Sequence, residues 1–293
     1  VRLSALFAAL LFAALAVAGC GGAERGPAEP AGIIVMGPHL TEVVFALGQG
    51  GRVVGVGNYS DYPPEIEGVP RVGGYIDPDL EKITLLNPAM ILLAGVYPKV
   101  SEFAKTRGMR VVNIDMDSLE SIDTGIATVG ELLDCEAESD AMRAQFQKEL
   151  DQLRADTAGL PRPRVLIITG RSTHTLDTLQ TAGGPSFLSD IVTLAGGDNV
   201  YADTATRYFE ASKETVVMRA PEVIVEFHAG ETLTEAQEAA FIRDWGALPS
   251  LPAVKNNRIY LITESHSMRP GPRIVEIARK IAHLLHPSAV AAP

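Results

Sequence analysis

Two cysteines in 293 residues are too few for a disulfide framework. One of them, Cys20, closes an apolar leader, which leaves Cys135 without a partner, and a lone cysteine most often serves as a small buried hydrophobe. Basic residues are in deficit. The 25 Lys and Arg stand against 36 Asp and Glu, for a formal net charge of −11. This excludes nucleic acid as a partner class, because phosphate contacts need clustered Lys and Arg. The apolar stretch Leu3 to Val17 falls short of the ~20 residues that a membrane-spanning helix needs. Catalytic signatures are also missing: there is no Gly-x-Ser-x-Gly elbow, no His-Glu-x-x-His and no Walker loop. Gly48-Gln49-Gly50-Gly51 precedes a strand rather than opening a helix, the wrong context for a dinucleotide.

What is present is globular, with 46% hydrophobic and 21% charged residues. Arg2 and the apolar stretch lead to Leu15-Ala16-Val17-Ala18-Gly19-Cys20, with small residues before a cleavage point. The run resembles a bacterial lipobox, which implies that Cys20 is lipidated and becomes the mature N terminus. Residues 1–19 are then a signal peptide and 20–31 a lipidated tether rich in Gly, Ala, Pro and Glu. The body is expected outside the cytoplasm of a bacterium, held to the membrane by lipid alone. The tail 287–293 is expected to fray.

Two distant stretches share one pattern. Glu81 begins a short predicted helix ended by Pro88 and followed by Met90-Ile91-Leu92-Leu93; Glu214 begins another, ended by Pro221 and followed by Val223-Ile224-Val225. In each, the Pro stands seven residues after the Glu. A helix, a Pro stop and a buried strand used twice imply two similar lobes, and a cleft between lobes is a usual place for a small ligand. Strands and helices alternate on both sides of a polar helix predicted over Glu136 to Asp156, whose Met142, Phe146, Leu150 and Leu153 form one apolar stripe. Pro161 and Pro163 are expected to end it. The reading is an α/β chain of two doubly wound lobes with mainly parallel sheets, 32–134 and 161–286, joined by one long rigid helix within 135–160. A stiff helical connector predicts small hinge motion.

Three further stretches carry a resemblance: Gly37-Pro38-His39-Leu40-Thr41-Glu42; Gly57-Asn58-Tyr59-Ser60-Asp61-Tyr62-Pro63-Pro64, continuing to Val72-Gly73-Gly74-Tyr75; and Arg269-Pro270-Gly271-Pro272-Arg273. With the lipobox and the central helix, the chain resembles the substrate-binding proteins of ABC importers for cobalamin, iron-siderophores and haem, over roughly 32–286. It looks most like the vitamin B12 branch. The resemblance implies the class III arrangement of two lobes bridged by a rigid helix, a bulky metal-chelate ligand carried as cargo, no required cofactor and no catalysis. Haem or a ferric siderophore is the alternative cargo, and an extracytoplasmic enzyme is a distant one.

The resemblance also assigns residues. Glu81 and Glu214 match the carboxylates that meet arginines of the membrane permease, and an exposed Glu in a first helical turn suits both the helix dipole and a bidentate Arg. Tyr59, Tyr75 and Tyr208 match positions where aromatics face the ligand, and flat rings suit a flat macrocycle. Pro38, His39, Leu40 and Thr41 after the first strand, with Tyr97, His174, His266, Met268 and Arg269, are the other expected cleft residues. Tyr75, His39 and His266 are candidate axial contacts to the ligand's metal. His39 stands where the family usually has a small polar residue capping the next helix. Some cobalamin binders carry Trp at the positions of Tyr75, Gly95 and Tyr208, whereas the one Trp here, Trp245, is predicted in an outer helix. His228, His283 and His286 show no metal-ligand spacing. Asp115-Met116-Asp117 is read as a solvated loop pair.

Overall fold

The computed structural model describes residues 32–292. The expected signal peptide, the tether and Cys20 lie outside the described residues. β1 (Ile33–Met36) feeds α1 (Pro38–Ala46), then β2 (Val53–Val56). α2 (Leu80–Leu86) leads to β3 (Met90–Leu93), and α3 (Pro98–Arg107) to β4 (Val111–Asn113). These four strands pair all parallel in the order β2-β1-β3-β4. α4 (Leu119–Leu133) starts in a capping box of Ser118 and Ser121 and stops at Asp134, which takes the left-handed conformation. α5 (Glu136–Thr157) follows after Cys135 and packs on α4, with Arg143 and Asp123 paired at 2.8 Å between them.

The second lobe holds β5 (Arg164–Arg171), β6 (Leu179–Ala182), α6 (Phe187–Leu194), β7 (Asp198–Asn199) and β8 (Tyr208–Ala211). It continues through α7 (Lys213–Arg219), β9 (Val223–Phe227), α8 (Glu235–Asp244), α9 (Pro252–Lys255), β10 (Ile259–Ile262) and α10 (Ile274–Leu285). Its sheet runs β10-β9-β5-β6-β8, with β7 also on β5. β10, β9 and β5 are parallel, but β6 and β8 are antiparallel additions that the sequence reading did not contain. Their four-residue length is too short for a clear alternation.

Alternation along the central strands divides the core. Ile33 and Val35, Met90 and Leu92, Val165 and Ile167, Val223 and Val225 all join one hydrophobic cluster. Their neighbours Ile34, Met36, Ile91 and Leu93 join a second cluster, and Leu166, Ile168 and Ile224 a third. Both faces of each sheet are covered, which is why these strands read as unbroken apolar runs. The first cluster spans both lobes through α1, α4, α5, α6 and α10. The lobes are therefore fused along a common helical core, not merely strung on one connector. Leu119 N–H donates to Asp190 at 3.1 Å, and Thr157 Oγ1 to Leu194 O at 3.2 Å, tying α4 and α5 to α6.

Four sequence expectations shift. α5 ends at Thr157 because Ala158 turns extended, so Pro161 and Pro163 only prevent the helix from resuming. α1 begins at Pro38, which suits the first helical position, and its cap is Gly37; His39 is inside the first turn and caps nothing. Trp245 is not on an outer face: it sits in the turn after α8, fully buried, donating its indole N–H to Glu226. The tail is bound as far as Val290, which is buried in the main cluster and whose carbonyl lies 2.7 Å from His283 Nδ1.

Candidate functional site

The repeated motif folds alike in both lobes. α2 and α7 are each seven residues long, opened by Asp79 and Ser212, whose side chains accept from Lys82 N–H and Thr215 N–H. Each closes on a left-handed residue, Asn87 and Ala220, both at φ 41°. β3 and β9 follow, each adjacent to the first strand of its lobe's sheet. Ile83 and Val216 anchor the two helices in the core, while Glu81 and Glu214 are exposed. The backbone and the Ser212 hydroxyl hold the Glu214 carboxyl below its usual range.

A cavity of about 410 Å³ lies between the lobes. Its first-lobe wall comes from the segments that follow β1, β3 and β4: Pro38 and His39, Ala94 and Gly95, and Asp115 to Asp117. The second lobe contributes Thr169, Phe187, Arg207, Tyr208 and the loop Met268 to Pro270. Crevices beyond the carboxyl ends of parallel strands are the expected ligand sites of such sheets. A larger concavity of about 600 Å³, between the start of α4 and the ends of α5 and α6, contains none of the expected ligand residues.

Three tyrosines stack on the first-lobe side. Tyr97 is buried beneath Tyr75 at a centroid distance of 4.3 Å and an interplanar angle of 18°; Tyr59 lies 6.5 Å beyond, inclined by 29°. Two glycines make room. Gly73, at φ 89°, holds the turn before Tyr75, and a Cβ there would meet Asp77 O at 2.4 Å. A Cβ on Gly95, at φ 101°, would press on the Tyr75 ring at 3.3 Å. Burial, then the neighbouring Tyr75, pushes the Tyr97 phenol far above its ordinary range. Ile76 and Val96, both more than three-quarters exposed, extend the apolar surface around this stack.

Ion pairs link the two lobes around the cleft. Arg207 meets Asp117 at 2.9 Å, and the Tyr208 hydroxyl donates to the same carboxylate at 3.2 Å across 91 residues of sequence. Burial raises the Asp117 carboxyl despite Arg207. Arg269 forks onto Asp61, with Nη2 at 2.8 Å from Oδ2, and this hydrogen bond holds Asp61 below its usual range. Arg273 forks onto buried Glu42 at 2.8 and 2.6 Å, with its guanidinium 3.9 Å above the Tyr62 ring. The three stretches that carried the resemblance thus meet at one interlobe ionic cluster.

The expected site residues divide. Pro38, His39, Tyr75, Tyr208, Met268 and Arg269 line the cavity. Leu40 and Thr41 do not: α1 turns Leu40 into the core, and Thr41 hydrogen bonds Gly37 O and Ser60. Tyr97 supports from below, and Tyr59 stands at the outer end of the stack. His174 is corrected outright, since the turn between β5 and β6 places it against Gln237 and Phe241 of α8. His266 lies outside the cavity lining, its Nε2 3.3 Å from Glu276 without hydrogen-bond geometry. Burial, then Arg273, keeps that imidazole below its ordinary value. His39 has no hydrogen-bond partner for its ring among the described residues, and burial, then Arg269, lowers its pKa to about 4. It is a neutral imidazole at the cavity wall. Asp117 is not a solvated loop residue but the acceptor for both Arg207 and Tyr208. Sequence reasoning also missed Arg207, Glu42 and Arg273 as interlobe partners; the two arginines bracketing Pro270-Gly271-Pro272 were the available signal.

A family profile described as periplasmic binding protein matches residues 33–265. The chain belongs to the periplasmic binding protein family. It is 28% identical over 243 residues to a vitamin B12-binding protein of Vibrio parahaemolyticus, covering 82% of this chain and 84% of that one. The crystal structure of the periplasmic vitamin B12 binding protein BtuF of Vibrio cholerae superposes with a TM-score of 0.73 at 26% identity, covering 87% and 97% of the two chains. A periplasmic haem binding protein from Pseudomonas aeruginosa shares the fold, at TM-score 0.75 and 22% identity over 89% and 94%. These relatives of the periplasmic binding protein are binding proteins, not enzymes. Membership places the body outside the cytoplasm, and among the described residues no helix is long and apolar enough to cross a membrane.

Proposed function

We propose that this periplasmic binding protein serves an ABC importer, capturing cobalamin or a related corrinoid between its lobes. Lipid on Cys20 tethers it to the membrane, and Glu81 and Glu214 present it to the permease. The observation that carries the ligand reading is an interlobe cavity lined by Tyr75 and Tyr208, with Tyr75 stacked between Tyr97 and Tyr59. Stacked rings offer a broad apolar face to a flat macrocycle at little cost in side-chain entropy. The vitamin B12-binding relatives support the same choice. No bond is made or broken; the cargo is held, carried and released.

Separate titrations with cyanocobalamin, cobinamide, haemin and a ferric siderophore, followed by visible absorption, test the ligand. Saturable binding of the two corrinoids, and weaker binding of the others, is expected; tight binding of haemin alone overturns the corrinoid reading. Haem is the second reading, favoured by the neutral imidazole of His39 and the Tyr75 hydroxyl, whose hydrogen bond to Ala94 O is 3.5 Å long. Tyr75→Phe separates the two: a haem Soret band depends on the phenol oxygen, whereas stacking on a corrinoid does not. For docking, Glu81→Arg with Glu214→Arg should abolish uptake yet leave ligand affinity within about threefold, under ~0.7 kcal/mol.

A further inference from the structure

We infer that Leu85 and Met218 form, with Glu81 and Glu214, a pair of matched two-part contacts for a membrane partner with two equivalent surfaces. This rests on the docking reading above and adds an apolar half to it. Superposed by motif, Glu81 matches Glu214, buried Ile83 matches buried Val216, and Leu85 matches Met218. Leu85 is 78% exposed and Met218 77% exposed, among the most exposed large hydrophobics described. In each helix the hydrophobe stands four residues after the Glu, so both side chains occupy one helix face. One exposed hydrophobe needs no explanation. Two at the same position of two copies of a motif, each beside an exposed carboxylate, have a common cause in a common contact. The carboxylates select the occupant: a cationic group next to an apolar recess, offered twice. The chain's formal charge of −11 opposes an anionic lipid surface as that occupant.

The test is binding of the ligand-free chain carrying Cys20→Ser, so that no lipid anchor contributes, to its importer in lipid nanodiscs, compared with empty nanodiscs of the same lipid. Leu85→Ser and Met218→Ser should each weaken binding about tenfold, or about 1.4 kcal/mol. The two losses should be similar and nearly independent of salt. Glu81→Gln and Glu214→Gln should weaken binding in a salt-dependent way. Leu85→Met and Met218→Leu should restore it, and unfolding midpoints should stay within a degree or two. Loss in the Gln variants without loss in the Ser variants overturns the inference and leaves Glu docking standing. Loss in the Ser variants alone overturns the Glu reading. Wild-type chain that ignores the importer, or binds empty nanodiscs equally, overturns both. Self-association abolished by the Ser variants would assign the face to a second copy and overturn the inference.

Discussion

Acidification should destabilise this protein through His39, by an amount that a single substitution can isolate. The imidazole has an ordinary pKa of 6.5, depressed to about 4 in the folded chain by burial and by Arg269. The unfolded chain therefore takes up a proton as pH falls through 6.5, while the folded chain does so only near 4. The stability contributed by the neutral ring is complete above 6.5 and is lost on the way down to about 4. At 1.36 kcal/mol per unit, the loss is about 3 kcal/mol. Other groups titrate in the same range. His228 works in the opposite direction, because its hydrogen bond to Glu226 raises its pKa, so its contribution is present at low pH and lost as pH rises through the folded value. The difference between wild type and His39→Asn cancels these shared terms. Urea unfolding at pH 7, 5.5 and 4.5 supplies the measurement, with the emission of Trp245, the one Trp and fully buried, as reporter. Relative to wild type, the variant should gain stability by roughly 2–3 kcal/mol between pH 7 and 4.5. A difference that stays constant across that range would refute the burial argument and, with it, the neutral imidazole at the cleft wall.

Glu42→Gln leaves Arg273 with a neutral partner in a mostly buried place and should cost about 2–3 kcal/mol, seen as a lower thermal midpoint; an unchanged midpoint would mean that the interlobe pair contributes nothing net. Trp245→Phe removes the indole donor from a carboxylate that is 1% exposed, and chemical denaturation should show a loss of about 2 kcal/mol, more than the change in apolar area accounts for. Leu150→Ala opens a cavity in the helical core shared by the lobes, with an expected cost of about 2–5 kcal/mol. Because that core fuses the two halves, the unfolding transition should remain single; two separate transitions would show that the lobes are independent.

The central strands were legible because each sheet is covered on both faces, so Met90 to Leu93 and Val223 to Val225 read as short continuous apolar runs. The two helix–Pro–strand motifs were legible for a local reason as well: capping residues, a buried anchor and a proline act within one turn of each other. Motif resemblance then located the first-lobe cleft residues at Pro38, His39 and Tyr75. It failed at Leu40 and Thr41, where helical rotation decides which way a neighbouring side chain points, and at His174, where the turn after β5 leads away from the cleft. Pairings over long separations were invisible. Nothing local links Arg273 to Glu42, 231 residues away, or Arg269 to Asp61, 208 residues away. The antiparallel β6 and β8 were missed because Leu179 to Ala182 and Tyr208 to Ala211 mix polar with apolar residues, so they form no continuous apolar run, and four residues are too few to show an alternation. Sequence alone thus determined that there are two lobes, the parallel strands and helices at the heart of each, and which carboxylates they expose. Only the tertiary structure decided which arginine meets which carboxylate, that His39 is neutral and that the lobes share a core, because these depend on distances between segments that composition and periodicity do not encode.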